Sequence, residues 1–106
     1  MKVSEITTEE IANYLRISEI DEGLTNELDV YLKVAKKYIK DETGLTDDEL
    51  DEHEDFIIAV YILCQDMYDN RTLYVDKSNV NKVVDTILGR HRINLLWKMQ
   101  GNIIKK

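Results

Sequence analysis

The sequence predicts an all-α fold, and three observations carry that reading. Proline is absent and glycine occurs only four times in 106 residues, too few turn-formers for a sheet protein with many tight turns. Apolar residues recur at helical spacing over long stretches. Thr7 with Glu10, and Thr46 with Glu49, have the spacing of a capping box, in which side chains satisfy the first free amides of a helix. A chain of this length makes one domain and can bury most of its apolar surface without a metal or disulfide. The expected architecture is a small bundle of about four helices over residues 1–89. A loop separates the third helix from the fourth, and a basic, apolar C-terminal tail occupies residues 90–106.

The first helix is expected to start at Thr7, with Ile11, Tyr14 and Leu15 on one face; its shortness suggests an appendage or docking arm. The second has the clearest period. Leu24, Leu28, Tyr31, Leu32, Ala35, Tyr38 and Ile39 form one stripe, Val30 and Val34 widen it, and Gly44 stops the helix. The Thr46 capping box opens a third helical region whose body runs from about Asp51 to Tyr68. Its middle, Phe56 to Cys64, is apolar on all sides, as in a surrounded helix. A loop from Arg71 to Ser78 follows, with a short extended piece at Thr72–Val75. Ser78 or Asn79 caps a fourth helix whose inner face is Val80, Val83, Val84, Ile87 and Leu88, and Gly89 is expected to stop it.

The net charge of −7 is unevenly spread. Residues 1–55 carry 17 acidic and 6 basic side chains, residues 56–106 carry 4 and 8, and the last 18 residues hold five Lys or Arg and no acid. Nucleic-acid wrapping wants a basic face across the whole contact. A dipolar chain instead suits head-to-tail contact between copies, although a solvated acidic face explains the same numbers. The single cysteine, Cys64, makes a reducing, cytoplasmic compartment the default expectation. No signal peptide is expected from the polar start, and the sequon at Asn70 is read as accidental. The longest apolar run, Phe56 to Cys64, is far short of the roughly 20 residues that span a bilayer, so no membrane partner is expected.

Catalytic and metal chemistry find little support in the residues. Asp47, Glu49 and Asp51 alternate like a calcium loop, but the sixth position is Glu52 instead of glycine and the twelfth is Ile58 instead of glutamate. His53 has no second histidine one turn away and no paired cysteine, so it reads as part of a solvated acidic helix start. Cys64 lies in the apolar run without a basic neighbour in sequence, although His91 could meet it in space; a buried structural thiol is the better reading. No phosphate-binding glycine loop occurs. No enzyme, cofactor or metal is expected. The tail, with Trp97, could clamp nucleic acid, but its apolar residues outnumber its charges and favour protein binding. Trp97 serves equally well as an interface anchor or as a side chain folded onto its own core.

The segment Asp51-Glu52-His53-Glu54-Asp55-Phe56, then Ala59-Val60 and Leu63 to Arg71, resembles the core of the head–tail connector family of tailed bacteriophages and prophages. Asn79 to Gly89 and Ile93-Asn94-Leu95-Leu96 continue the likeness. Ile11 to Ile17, and Ala35-Lys36-Lys37-Tyr38-Ile39 with Thr43-Gly44, also fit. The resemblance covers about residues 3–96 and rests on the combination of segments. It implies a non-enzymatic virion protein that forms a ring below the portal and joins the portal protein to a tail-completion, or stopper, protein. Such a ring continues the DNA channel without reading sequence. It implies a place in the neck of the virion, and in the host cytoplasm during assembly. Trp, Tyr and Arg are enriched at interface hot spots, so Arg71, Tyr74 and Trp97, with Arg90 and Arg92 of the basic tail, are candidates for the subunit or portal interface, Trp97 lying beyond the resemblance. Asp47, Asp48, Asp51 and Glu52 are candidates for an acidic channel or subunit surface. The alternative class is a small helical phage-encoded regulator or nucleic-acid-binding adaptor.

Overall fold

The computed structural model describes residues 1–92. The chain is all-α, with no strand among the described residues. After a 3-10 turn, Val3–Glu5, come α1 (Thr8–Tyr14), α2 (Glu22–Thr43), α3 (Asp47–Leu50) and α4 (Asp55–Asn70). A second 3-10 turn, Lys77–Asn79, leads into α5, described over 82–92.

Helix α2 is the spine. Its 22 residues span about 33 Å at 1.5 Å per residue. The expected stripe faces inward: Leu28, Tyr31, Leu32, Ala35, Tyr38 and Ile39 are buried, whereas Val30 is exposed. Asp21 caps the start by accepting from the Leu24 amide at 2.7 Å. Gly44 ends the helix at φ 71°, in the left-handed region that glycine occupies without a Cβ penalty, and donates its amide to Lys40 O. Buried Thr43 donates its hydroxyl to Ile39 O at 2.7 Å and accepts from the Leu45 amide, so its polar group costs little.

Helix α4 packs along α2, and α1 touches both. From α4 come Phe56, Ala59, Val60, Leu63, Cys64 and Met67; from α1 come Ile11 and Ala12, both fully buried. Helix α1 is therefore part of the core and not an appendage. Val3 and Ile6 are also buried, and the first 3-10 turn lies against α4. Helix α5 closes the bundle with Val84, Ile87 and Leu88.

Tyr14 and Val83, expected on inner helix faces, are 42% and 50% exposed, and four further features differ from the sequence reading. First, the third helical region is broken: α3 and α4 are joined by a tight turn over 51–54, with amides of Glu52 and His53 bonded to Glu49 O and Leu50 O. Leu50 and Phe56, both buried, would point about 120° apart on one straight helix. The turn brings both to the same core. Second, α4 is not surrounded, since Ile58 is 52% exposed and Ile57, Tyr61 and Ile62 are half-buried. Third, no extended strand forms at Thr72–Val75, and α5 is capped by Asn81, whose Oδ1 accepts from the Val83 amide at 2.8 Å. Asp76 and Asn79 instead serve the 3-10 turn before it. Fourth, Gly89 does not stop α5. The helix continues through it to at least residue 92, so Arg90, His91 and Arg92 belong to the bundle and not to a tail. The rest of the expected tail, Trp97 included, lies outside the described residues.

The helix stops at Arg16 and Arg71 are unusual. Both residues have positive φ, 60° and 53°. Each ends its helix with paired bonds: Arg16 N to Asn13 O with Ile17 N to Ala12 O, and Arg71 N to Tyr68 O with Thr72 N to Met67 O. This is the Schellman arrangement, in which glycine is the usual occupant.

The two faces of α4 can be separated by substitution. Leu63→Ala should destabilise the domain by about 2–5 kcal/mol, through lost burial and the cavity left in the core. Ile58→Ala should change stability by no more than about 0.5 kcal/mol. Urea denaturation followed by circular dichroism measures both.

Candidate functional site

The sequence-derived interface residues fall into two groups. The arginines are engaged within the molecule. Arg71 places Nη1 2.6 Å from Glu27 Oε2 in α2 and lies over the Tyr68 ring at 4.5 Å. Arg92 bridges Asp85 Oδ1 and Glu42 Oε1, each at 2.9 Å, tying α5 to the end of α2. Its hydrogen bonds to Asp85 and Glu42 outweigh the effect of burial and hold the guanidinium firmly charged. Arg90 is 4.0 Å from Asp55 and largely exposed. Such part-exposed pairs contribute only about 0–1 kcal/mol each, so they set orientation more than stability.

Tyr74 belongs to the other group. It and Leu73 are 63% and 59% exposed, side by side in the loop between α4 and α5. The sequence reading singled out Tyr74 but passed over Leu73, because one leucine in a loop carries no period. Beneath the loop is a pocket of about 260 Å³, lined on one side by Leu63, Asp66 and Met67 and on the other by Tyr74, Val75 and Val80. Burial, aided by the nearby Asp69 charge, raises the Asp66 carboxyl above its usual range. Asp76 and Tyr74 line the same pocket as Asp66, and no histidine, cysteine or lysine is among its lining residues.

The acidic candidates also divide. Asp48 and Glu52 are exposed. Asp47 lies 3.2 Å from Lys40 Nζ. Asp51 ties the N-terminus to the α3–α4 turn: Ser4 donates its hydroxyl to Oδ2 at 2.7 Å and its amide to Oδ1 at 2.9 Å. These two bonds to the charged form, the hydroxyl's first, hold the Asp51 carboxyl below its ordinary value. The acidic segment also borders a row of lysines on α2, since Lys33, Lys36, Lys37 and Lys40 line a shallow groove with Asp41 and Asp47. Basic side chains therefore interrupt the acidic surface expected here.

His53, read from the sequence as part of a solvated acidic helix start, and His91, weighed only as a partner for Cys64, are instead brought together by the fold. Their rings lie 4.5 Å apart between centroids, and both contact Phe56. His91 Nε2 is 3.2 Å from Asp55 Oδ2. One potential ligand atom from each of His53, Asp55 and His91 falls within 4.8 Å of the other two. Separated by 37 intervening positions, the two histidines share no spacing that a linear motif could reveal.

Cys64 is fully buried, and burial pushes its thiol up to about 12, with Lys36 opposing weakly. It is an inert core side chain. No helix among the described residues is long and apolar enough to cross a membrane. No family model, curated protein or solved structure matches the chain.

Two measurements check these assignments. Ser4→Ala should raise the Asp51 pKa toward the ordinary aspartate value, read by carboxyl-carbon NMR titration. Because the folded pKa is depressed, the Ser4–Asp51 contact stabilises above the unfolded aspartate pKa. That contribution fades as pH falls through the folded value, so the variant should lose part of the acid dependence of stability. Cys64 should react with a thiol reagent only at the rate of opening, and urea should accelerate the reaction in step with unfolding.

Proposed function

We propose that the chain is a structural virion-assembly protein of the head–tail connector type, forming a ring that joins the portal protein to a tail-completion, or stopper, protein. The observation that carries this reading on the structural side is the exposed Leu73–Tyr74 tip. Two large apolar side chains stand in solvent on a loop whose ends are anchored by Arg71 and Asp76. Tyrosine is among the residue types enriched at interface hot spots, and Leu73 enlarges the apolar area that Tyr74 exposes. The tip adds to the sequence resemblance over residues 3–96.

In a ring, one face of each subunit meets a different face of the next. The Leu73–Tyr74 tip supplies one such face. The exposed Ile58 of α4 and Val83 of α5 are further apolar positions for the opposing copy or the portal. The DNA would pass through without sequence-specific contact, and exposed Asp48 and Glu52 suit a surface to which DNA does not adhere. The protein would reside in the neck of the virion, after assembly in the host cytoplasm, and would act without catalysis.

The lysine row on α2 favours a second reading, a small nucleic-acid-binding regulator or adaptor. Three of its four members already pair with acids: Lys33 with Asp29, Lys37 with Asp41 and Lys40 with Asp47. That leaves little net positive field. Tight binding of duplex DNA by the free chain in a gel shift at physiological salt would favour this reading.

Electron microscopy of the chain mixed with its portal should show an added ring with the portal's symmetry. The double substitution Leu73→Ser with Tyr74→Ser should abolish ring addition while leaving helical circular dichroism unchanged. A ring formed equally well by that variant would remove the loop tip from the interface.

A further inference from the structure

We propose that His53, Asp55 and His91 form a binding site for a divalent transition-metal ion of the Zn²⁺ class, which clamps α5 to the turn between α3 and α4. The chain has only two histidines, and the fold brings both to one point from separate elements. His53 stands in the tight turn, Asp55 opens α4, and His91 lies near the end of the described part of α5.

The donor set fits the chemistry. Two imidazoles and one carboxylate suit a borderline divalent ion, and three protein ligands leave a position for water or for a ligand from a partner. Tetrahedral bonds of about 2.0–2.1 Å place ligand atoms roughly 3.3 Å apart. The Asp55–His91 pair already stands at 3.2 Å. The full set lies within 4.8 Å, so modest side-chain rotation, chiefly of His53, closes it.

The surroundings support binding on balance. The His91 side chain is 12% exposed and that of Asp55 28%, so water competes weakly. Phe56 packs against both imidazoles and limits where the rings can go. Glu52 and Glu54 flank His53 in sequence and add negative charge to the turn. Arg90, 4.0 Å from Asp55, opposes a cation; its side chain is 64% exposed and can swing into solvent. The site does not depend on the connector reading, because its ligands all come from one chain.

The test is a titration of untagged full-length chain with Zn²⁺ by calorimetry, and with Co²⁺ by visible absorption. The expected result is one ion per chain, a raised thermal midpoint, and Co²⁺ bands characteristic of nitrogen and oxygen ligands. His53→Gln, Asp55→Asn and His91→Gln should each weaken binding at least about tenfold, since losing even an outer-shell partner of a metal ligand costs about that much, and Asp48→Asn should leave it unchanged. Lower pH should weaken binding as the imidazoles protonate. Absence of saturable binding at millimolar Zn²⁺ would overturn the proposal, as would binding that survives in the double variant His53→Gln with His91→Gln. If a substituted chain fails to fold, the NMR signals of the Co²⁺-loaded native chain decide. Paramagnetic shifts on both imidazole rings support the site, and shifts on one or neither overturn it.

Discussion

Packing between α2 and α4 is the constraint on which the rest of the structure depends. Among the described residues α2 and α4 are the two longest helices, and they pack along one another. With the long pair in place, the short elements have defined seats. Helix α1 inserts Ile11 and Ala12, the first 3-10 turn inserts Val3 and Ile6, and α5 lays down Val84, Ile87 and Leu88. Neither α1 nor the first 3-10 turn would hold a helical conformation alone, because nucleation costs more than so few turns return. Their order is borrowed from the α2–α4 surface.

Polar contacts act on this apolar frame as position-setters. Ser4–Asp51, Arg71–Glu27 and Arg92 with Glu42 and Asp85 each join parts of the chain distant in sequence. Each lies at the rim of the core, where a side chain can reach across without being fully dehydrated. Their energies are small beside those of the buried aliphatics, but they distinguish one way of seating the short elements from its near neighbours. Arg71 and Arg92, among the interface candidates, thus hold intramolecular ion pairs, while Arg90 stays largely exposed and large apolar side chains stand in solvent at Leu73 and Tyr74.

What could be read from the sequence follows from how local the signal is. The α2 stripe repeats over about four turns, so its face is unambiguous. Capping boxes at Thr7 and Thr46 are complete within four residues, and both form as expected. The break at 51–54 was not legible, because Asp-Glu-His-Glu contains neither glycine nor proline and only the distant partners Ser4 and the core explain it. Gly89 misled for the opposite reason. Glycine often ends a helix, yet this one lies outside the positive-φ set and a Cβ there would meet nothing within 4 Å, so it is an ordinary helical position facing open space. The histidine pair and the intramolecular partners of the arginines required the tertiary fold, since no spacing rule connects residue 53 to 91 or 27 to 71.

The left-handed stop at Arg71 has a consequence for which residues this position can accept. Glycine would suit the backbone better but could not reach Glu27 or cover Tyr68. Lysine would carry the charge but offers no flat guanidinium to lie over the ring, and asparagine, comfortable at positive φ, is too short to cross to α2. The position answers to two unrelated demands, a backbone twist and a long planar cation, and each of the obvious replacements meets at most one. Any of these replacements therefore trades one demand against the other, a constraint that its 61% exposed side chain does not reveal.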